Sequence, residues 1–247
     1  MISVNLNADL GEECGDDLAM LDVVSAANIA CGAHAGSPAV MEATVRAAMA
    51  RGIGIGAHPS YPDREGFGRR PMDLSPAEIE AVVLAQLRDL MEIAGRLGGR
   101  VGHVKPHGAL SNRAAVDAAA AAAIVRAVRG ADPALVLLAP AGSVLVAAGR
   151  AAGLVVAEEV FADRAYGDDG NLVPRSQPGA MIHDPEIAAA RVLGMVREGM
   201  LTTLSGRRIA CRAQSVCVHG DDAGAVALAR RLRAVLEAAG ITIIPLI

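Results

Sequence analysis

Of the 23 Lys and Arg residues in this chain, only Lys105 is lysine. Arginine carries a permanently charged planar fork, whereas lysine carries a compact ammonium whose pKa responds to burial. A chain that uses arginine at every other cationic position needs the ammonium at this one, to orient a phosphate, polarise a carbonyl or act as a base after desolvation. Lys105 lies in HVKPHG, two residues before His107. A chance survivor of the compositional bias is the plain alternative; the loop setting beside a histidine favours function. Three further histidines stand in small-residue contexts, His34 in CGAHAG, His58 in GAHPS and His219 in VHGD. With Asp9 they complete the candidate catalytic set of Asp9, His34, His58, Lys105, His107 and His219. Imidazoles and a carboxylate from separate strands also suit Zn or Mn, and Asp9, His34 and His58 are the ligands expected if a metal is bound. No HExxH spacing is present, and each histidine alone could be a satisfied structural one. His103 and His183 are read as structural.

Positioning these residues requires strands. Short apolar runs alternate with amphipathic helical stretches, the signature of βα units and a parallel sheet. Eight such runs start near Ile2, Val23, Ile53, Val101, Ala134, Leu154, Gln214 and Ile241. They predict one α/β domain over residues 1–247, a TIM-like (β/α) barrel that is allowed to be irregular or incomplete. Ser37-Pro38, Ser75-Pro76 and Asp184-Pro185 place a cap before a first-turn proline, and Asp221-Asp222 reads as a fourth helix start. LTTLSGRRIACRA reads as a β-hairpin inserted near residues 201–212, before the last main strand.

Barrels of this kind keep their chemistry at the carboxyl ends of the strands. Asn7, Asp9 and Glu12 follow the first run; Asn28 and His34 the second; His58 and Asp63 the third; Lys105 and His107 the fourth. Glu159, Asp163 and Arg164 close the run from Leu154, and His219 and Asp221 close the run ending in VCVHGD. The opposite strand ends carry nothing comparable. The only aromatics, Tyr61, Phe67, Phe161 and Tyr166, fall in two of these post-strand loops. Arg64, Arg69 and Arg70, with Arg164 and Arg175, could clamp a carboxylate or phosphate, or be solvated loop charges. Beyond the catalytic set, the predicted substrate- or phosphate-binding residues are Asn7, Glu12, Asn28, Asp63, Arg70, Glu159, Asp163, Arg164, Arg175 and Asp221.

Composition excludes several classes. A net charge of -4 offers no basic footprint for nucleic acid or anionic lipid. No apolar stretch reaches the 18 or more residues of a membrane span, and MISVNLNADLGE has no signal-peptide pattern, so a cytoplasmic location is expected. Four cysteines without CxxC spacing read as buried free thiols. GIGIG at residues 52–56 lacks dinucleotide-binding spacing, and a P-loop is impossible because proline follows the only lysine.

The blocks NADLGE, SAANIACGAHAG, IGAHPSYPDREGFGRR, HVKPHGAL, EVFADRAY and CVHGD, in this order, resemble the LamB/YcsF family over essentially the whole chain. The resemblance implies ATP-dependent hydrolysis of 5-oxo-L-proline to L-glutamate, releasing ADP and phosphate. It also implies Mg-ATP as cofactor, partner subunits B and C, and a barrel similar to polysaccharide deacetylases. Asn112 matches the family pattern along with the site residues named above. Ala33, Ser37 and Ser111 depart from it, and the loop from Glu13 to Leu21 looks short, which bears on pocket size and substrate preference. Two other readings compete: a metal-dependent amidohydrolase or deacetylase without ATP, and a non-catalytic subunit that delivers substrate.

Overall fold

The alternation in β1 (Ser3–Leu10) sets the architecture. Strand side chains change face at every residue, so Val4, Leu6, Ala8 and Leu10 share one face and Asn5, Asn7 and Asp9 the other. The apolar set is at most 1% exposed and packs into the main hydrophobic cluster with the surrounding helices. The polar set turns inward, where it meets side chains from strands across the lumen.

The computed structural model describes residues 2–219 and 224–246. After β1 come β2 (Ala26–Ala30), β3 (Gly54–His58), β4 (Val101–Val104), β5 (Val136–Pro140) and β6 (Val156–Phe161). An antiparallel hairpin, β7 (Met200–Thr202) with β8 (Arg208–Ala210), precedes β9 (Ser215–Val218). Neighbouring strands β1 to β6 are parallel, and β9 pairs in parallel with both β6 and β1, closing a seven-stranded barrel. Among the described residues the eighth run does not become a stave. It forms only β10 (Thr242–Ile243), paired with the start of β1. The Ile244 carbonyl receives Asn5 Nδ2 at 3.2 Å and Ser25 Oγ at 2.9 Å, and Leu246 packs on Val136, Leu138 and Ala157. The last run therefore plugs the amino-terminal end of the barrel. That end holds more polarity than the sequence suggested, because Asn5, Ser25 and Ser215 are buried there and bonded to one another.

Among the described residues eight helices cover the outside: α1 (Asp17–Leu21), α2 (Pro38–Ala50), α3 (Pro76–Arg96), α4 (Gly108–Val116), α5 (Ala118–Ala131), α6 (Val144–Ala151), α7 (Pro185–Glu198) and α8 (Ala225–Ala238). Ser37, Ser75 and Asp184 each accept a backbone N–H at a helix start followed by proline, as their sequence signals predict. The Asp221-Asp222 helix start lies outside the described residues. None of the described helices is long and apolar enough to cross a membrane.

At Ser75 the cap is reciprocal: Glu78 N donates to Ser75 Oγ at 3.4 Å and Ser75 N donates to Glu78 Oε2 at 2.8 Å. Ser75→Ala is expected to cost about 1 kcal/mol of stability. A urea midpoint unchanged from wild type would show that packing alone holds α3.

Candidate active site

Lys105 follows β4, and its ammonium lies inside the barrel mouth with 4% of the residue exposed. Its Nζ is 2.8 Å from Asp9 Oδ1, 2.9 Å from Cys217 Sγ, 3.3 Å from Asn7 Oδ1 and 3.4 Å from Glu159 Oε1. Burial opposes the ammonium charge, but Asp9 foremost among its neighbours holds the pKa well above the ordinary lysine value. Burial likewise opposes the Asp9 carboxylate, and His58 and Lys105 outweigh it, keeping Asp9 well below the usual range. Glu159 is shifted the other way, upward by burial, despite its proximity to Lys105. The shorter contact identifies Asp9 as the ion partner, with Glu159 the more easily protonated neighbour. Burial pushes Cys217 well above the usual thiol range, so it stands beside the ammonium as a thiol.

Beneath this pair is a chain of amides. His103 Nε2 bonds Asn28 Oδ1 at 2.9 Å, so Nε2 carries the proton in this network. Asn28 Nδ2 then donates to Asp9 Oδ1 at 2.8 Å and Asn7 Oδ1 at 2.6 Å. Asn7 Nδ2 donates to Glu159 Oε1 at 2.8 Å. His103, read as structural from the sequence, thus orients the groups that hold Asp9.

Beside the lysine, three imidazoles and Glu12 form a compact cluster. His58 Nε2 is 3.3 Å from Asp9 Oδ2 and 2.9 Å from His107 Nδ1. His34 stacks on His107 with ring centroids 3.9 Å apart, and its Nε2 is 3.0 Å from Glu12 Oε1. The loop after β3 covers this cluster. Phe67, at φ 54, lends its carbonyl to His107 Nε2 at 2.8 Å, and its ring flanks both His34 and His107. Burial pulls His34 down to about 4 and holds His107 well below the ordinary histidine value.

Across the mouth, Asp163 Oδ2 is 2.7 Å from His219 Nδ1. Burial works against the Asp163 charge, yet His219 keeps its pKa below the usual range. His219 stacks on Phe161 at 5.8 Å, leaving Nε2 as its second proton-transfer position.

These residues open into a cleft of about 900 Å³. Asp9, His58, Lys105, His107 and His219 lie on its lining, as do Arg164, Arg175 and Arg69. Asn7, Asn28, Glu12, His34 and Glu159 lie beneath or behind that lining as its buried support. Asp163 reaches the cleft through His219. Arg164 is 6% exposed, donates Nη2 to the Val173 carbonyl at 2.6 Å, and keeps an unpartnered Nε. Asp63 and Arg70 are placed differently from the sequence expectation. They pair with each other, Asp63 also accepts from Gly66 N, and neither is on the cleft lining. Their pairing braces the loop that carries Phe67. Asp221 lies outside the described residues.

Of the positions that depart from the family pattern, Ser111 lines the cleft and Ser37 caps α2. The inserted hairpin also reaches the cleft wall through Leu201, Ile209 and Ala210. The sequence reading missed Cys217 as a site neighbour, and missed Ser60, whose Oγ is 2.8 Å from His34 Nδ1. The signal for Cys217 was present: Ser215, Cys217 and His219 alternate along one strand face. Ser60 had no comparable signal.

The buried neutral imidazoles couple stability to pH. Both His34 and His103 have an ordinary value of 6.5, and burial lowers them in the fold to about 4 and about 3 respectively. Above pH 6.5 both are neutral in either state, and their full contribution to stability is present. As pH falls the unfolded chain takes up protons that the folded chain refuses, so stability is lost towards the folded values. Near pH 5 the slope is expected to be roughly 2.5 kcal/mol per pH unit. Urea midpoints of chelator-treated protein at pH 7 and pH 5 measure it, and equal midpoints would contradict the expectation.

Fold and site together define a parallel α/β-barrel protein with a buried ammonium–carboxylate pair and an imidazole cluster at the carboxyl mouth. The chain belongs to the LamB/YcsF family, whose sequence model matches residues 4–247. A protein of Azoarcus sp. (strain BH72) named as a subunit of 5-oxoprolinase is 56% identical over 245 residues, spanning 97% of this chain and 96% of that protein. The Methylococcus capsulatus protein of the same name is 53% identical, over 98% and 95% of the two chains. The crystal structure of a lactam utilization protein from Thermus thermophilus superposes with a TM-score of 0.92 at 45% identity, covering 98% of this chain and 99% of that one. A T48 deacetylase solved with substrate, 14% identical over 99% and 88% of the two chains, shares the fold with a TM-score of 0.51.

Proposed function

We propose that this chain is the lactam-binding and ring-opening subunit of an ATP-hydrolysing 5-oxoprolinase. The observation that carries the reading is the buried ammonium of Lys105, locked to Asp9 at the floor of a cleft far larger than a five-membered lactam. Relatives named as 5-oxoprolinase subunits, at 53% and 56% identity over nearly the whole chain, supply the substrate class.

A lactam is a resonance-stabilised amide. Transfer of the ATP γ-phosphoryl to its carbonyl oxygen activates the amide; one water adds to the carbon, the C–N bond breaks and the ring nitrogen leaves with a proton to give the acyl phosphate of glutamate, and a second water releases phosphate. Lys105 is suited to the negative charge that develops on the carbonyl oxygen. His219, held by Asp163, is suited to move the proton between water and ring nitrogen. Asp9 takes the part of water activation, with His58 beside it. Arg69, Arg164 and Arg175 on the cleft lining suit the substrate carboxylate or phosphate oxygens. Mg-ATP, partner subunits B and C, and a cytoplasmic location belong to the same proposal.

The test is glutamate formation and phosphate release from 5-oxoproline, measured with this chain alone and with candidate partner subunits added. ATP-dependent turnover is expected only in the mixture. ATP-independent hydrolysis by the isolated chain would favour a metal-dependent amidohydrolase. Turnover by the partners without this chain would reduce its role to substrate delivery.

A further inference from the structure

The imidazole cluster contains an electrostatic conflict that points to a bound cation. His58 Nδ1 is 2.6 Å from the Lys105 carbonyl oxygen, and His107 Nε2 is 2.8 Å from the Phe67 carbonyl oxygen. A carbonyl can only accept, so each of these nitrogens carries the hydrogen. That assignment leaves lone pairs on His58 Nε2 and His107 Nδ1 when the rings are neutral, and these two nitrogens face each other at 2.9 Å. Glu12 Oε1, a third electron-rich atom, lies 3.5 Å from His107 Nδ1 and 3.9 Å from His58 Nε2. Two lone pairs and a carboxylate oxygen converge here in a buried site, with Asp9 Oδ2 a further 3.3 Å from His58 Nε2.

We infer that His58 Nε2, His107 Nδ1 and Glu12 Oε1 are the protein ligands of a divalent transition-metal cation. The three atoms form an acute triangle with sides of 2.9, 3.5 and 3.9 Å. Its circumscribed radius is about 2.0 Å, so one point lies at the bond length typical of zinc with imidazole nitrogen and carboxylate oxygen. The rings of His58 and His107 stand at 83°, which lets both in-plane lone pairs reach one centre. The fixed carbonyl partners are the outer contacts that metal-binding histidines ordinarily have. His34 has a different part. Its ring lies parallel to His107, 7° apart in plane, so its lone pair cannot reach the same centre while the stack holds. It stands 3.0 Å from Glu12 Oε1 and positions that carboxylate. This set differs from the Asp9, His34 and His58 expected from sequence: Asp9 Oδ1 is engaged by Lys105, and although Asp9 Oδ2 is 3.3 Å from His58 Nε2, it is Glu12 that clusters with the histidines. Both imidazole ligands line the cleft, so the remaining coordination positions face it, where such an ion would supply Lewis acidity or an activated water. The inference stands independently of the nucleotide.

The test titrates Co²⁺ into tag-free, chelator-stripped full-length protein, followed by visible absorption and calorimetry. One ion per chain is expected, with d–d bands of nitrogen and oxygen ligation and no thiolate charge-transfer band. His107→Gln and Glu12→Gln are each expected to weaken binding by about 100-fold or more, while Cys217→Ser leaves it within about twofold. A second group, Asp9, Cys217 and His219, provides the rival location. A thiolate band in the wild-type spectrum, or binding lost only with Cys217→Ser, would overturn the assignment, as would substoichiometric binding to wild type. The wild-type spectrum distinguishes nitrogen from sulfur ligation even if a variant fails to fold.

Discussion

Lys105→Arg is expected to lower turnover of the assembled enzyme several-hundredfold, corresponding to about 3–4 kcal/mol of lost transition-state stabilisation. Charge is retained in this variant, so the loss must come from shape. The ammonium fits among Asp9, Cys217, Asn7 and Glu159 at 2.8 to 3.4 Å. A planar guanidinium is larger and cannot aim one compact donor at both Asp9 and a developing oxyanion. Crowding the floor of the barrel mouth adds about 1–3 kcal/mol of destabilisation, which a thermal melt separates from the kinetic effect. Lys105→Met is the complementary variant. It leaves Asp9 buried without its cation and is expected to cost about 3–5 kcal/mol of stability, beyond the cost of the arginine. Near-wild-type kcat for Lys105→Arg in an intact complex would remove the lysine from the chemistry.

Gly56→Ala is expected to be strongly destabilising. A Cβ at Gly56 would fall 2.0 Å from His103 Nε2 and 2.3 Å from Cδ2. The imidazole is 1% exposed and enclosed by the barrel, so it cannot swing into solvent. Expelling it breaks the bond to Asn28, which in turn holds Asp9 and Asn7. Overpacking together with an orphaned buried amide predicts a loss of roughly 3 kcal/mol or more. His103→Ala removes the clashing ring, so the double variant is expected to be more stable than Gly56→Ala alone, a non-additivity that a double-mutant cycle reads directly. A Gly56→Ala protein within about 1 kcal/mol of wild type would mean the lumen yields where the structure says it is full.

The sequence by itself determined a good deal of this. The apolar run near Ile2 was enough to predict the first strand and to put Asn7 and Asp9 at its carboxyl end, and the serine-proline and aspartate-proline pairs marked three helix starts. The isolated lysine could be singled out from composition alone, because a residue type used once in an arginine-rich chain is informative wherever it stands. The family motifs named the fold and placed the polar strand ends on one mouth.

Tertiary structure decided the rest. Closure at seven strands, with the eighth run turned into a plug, depends on β9 finding β1 and β6 together, and no local pattern encodes that pairing. Cys217 and Lys105 are separated by 112 positions and meet only because β4 and β9 face each other across the lumen. Asp63 and Arg70 look like ligands in the motif but satisfy each other once the loop folds. The proton positions on His58 and His107 are set by two backbone carbonyls brought to them by the fold. A period of two fixes which side chains share a face; which strands then stand opposite is decided by register and closure, and that choice gives each polar group its partner.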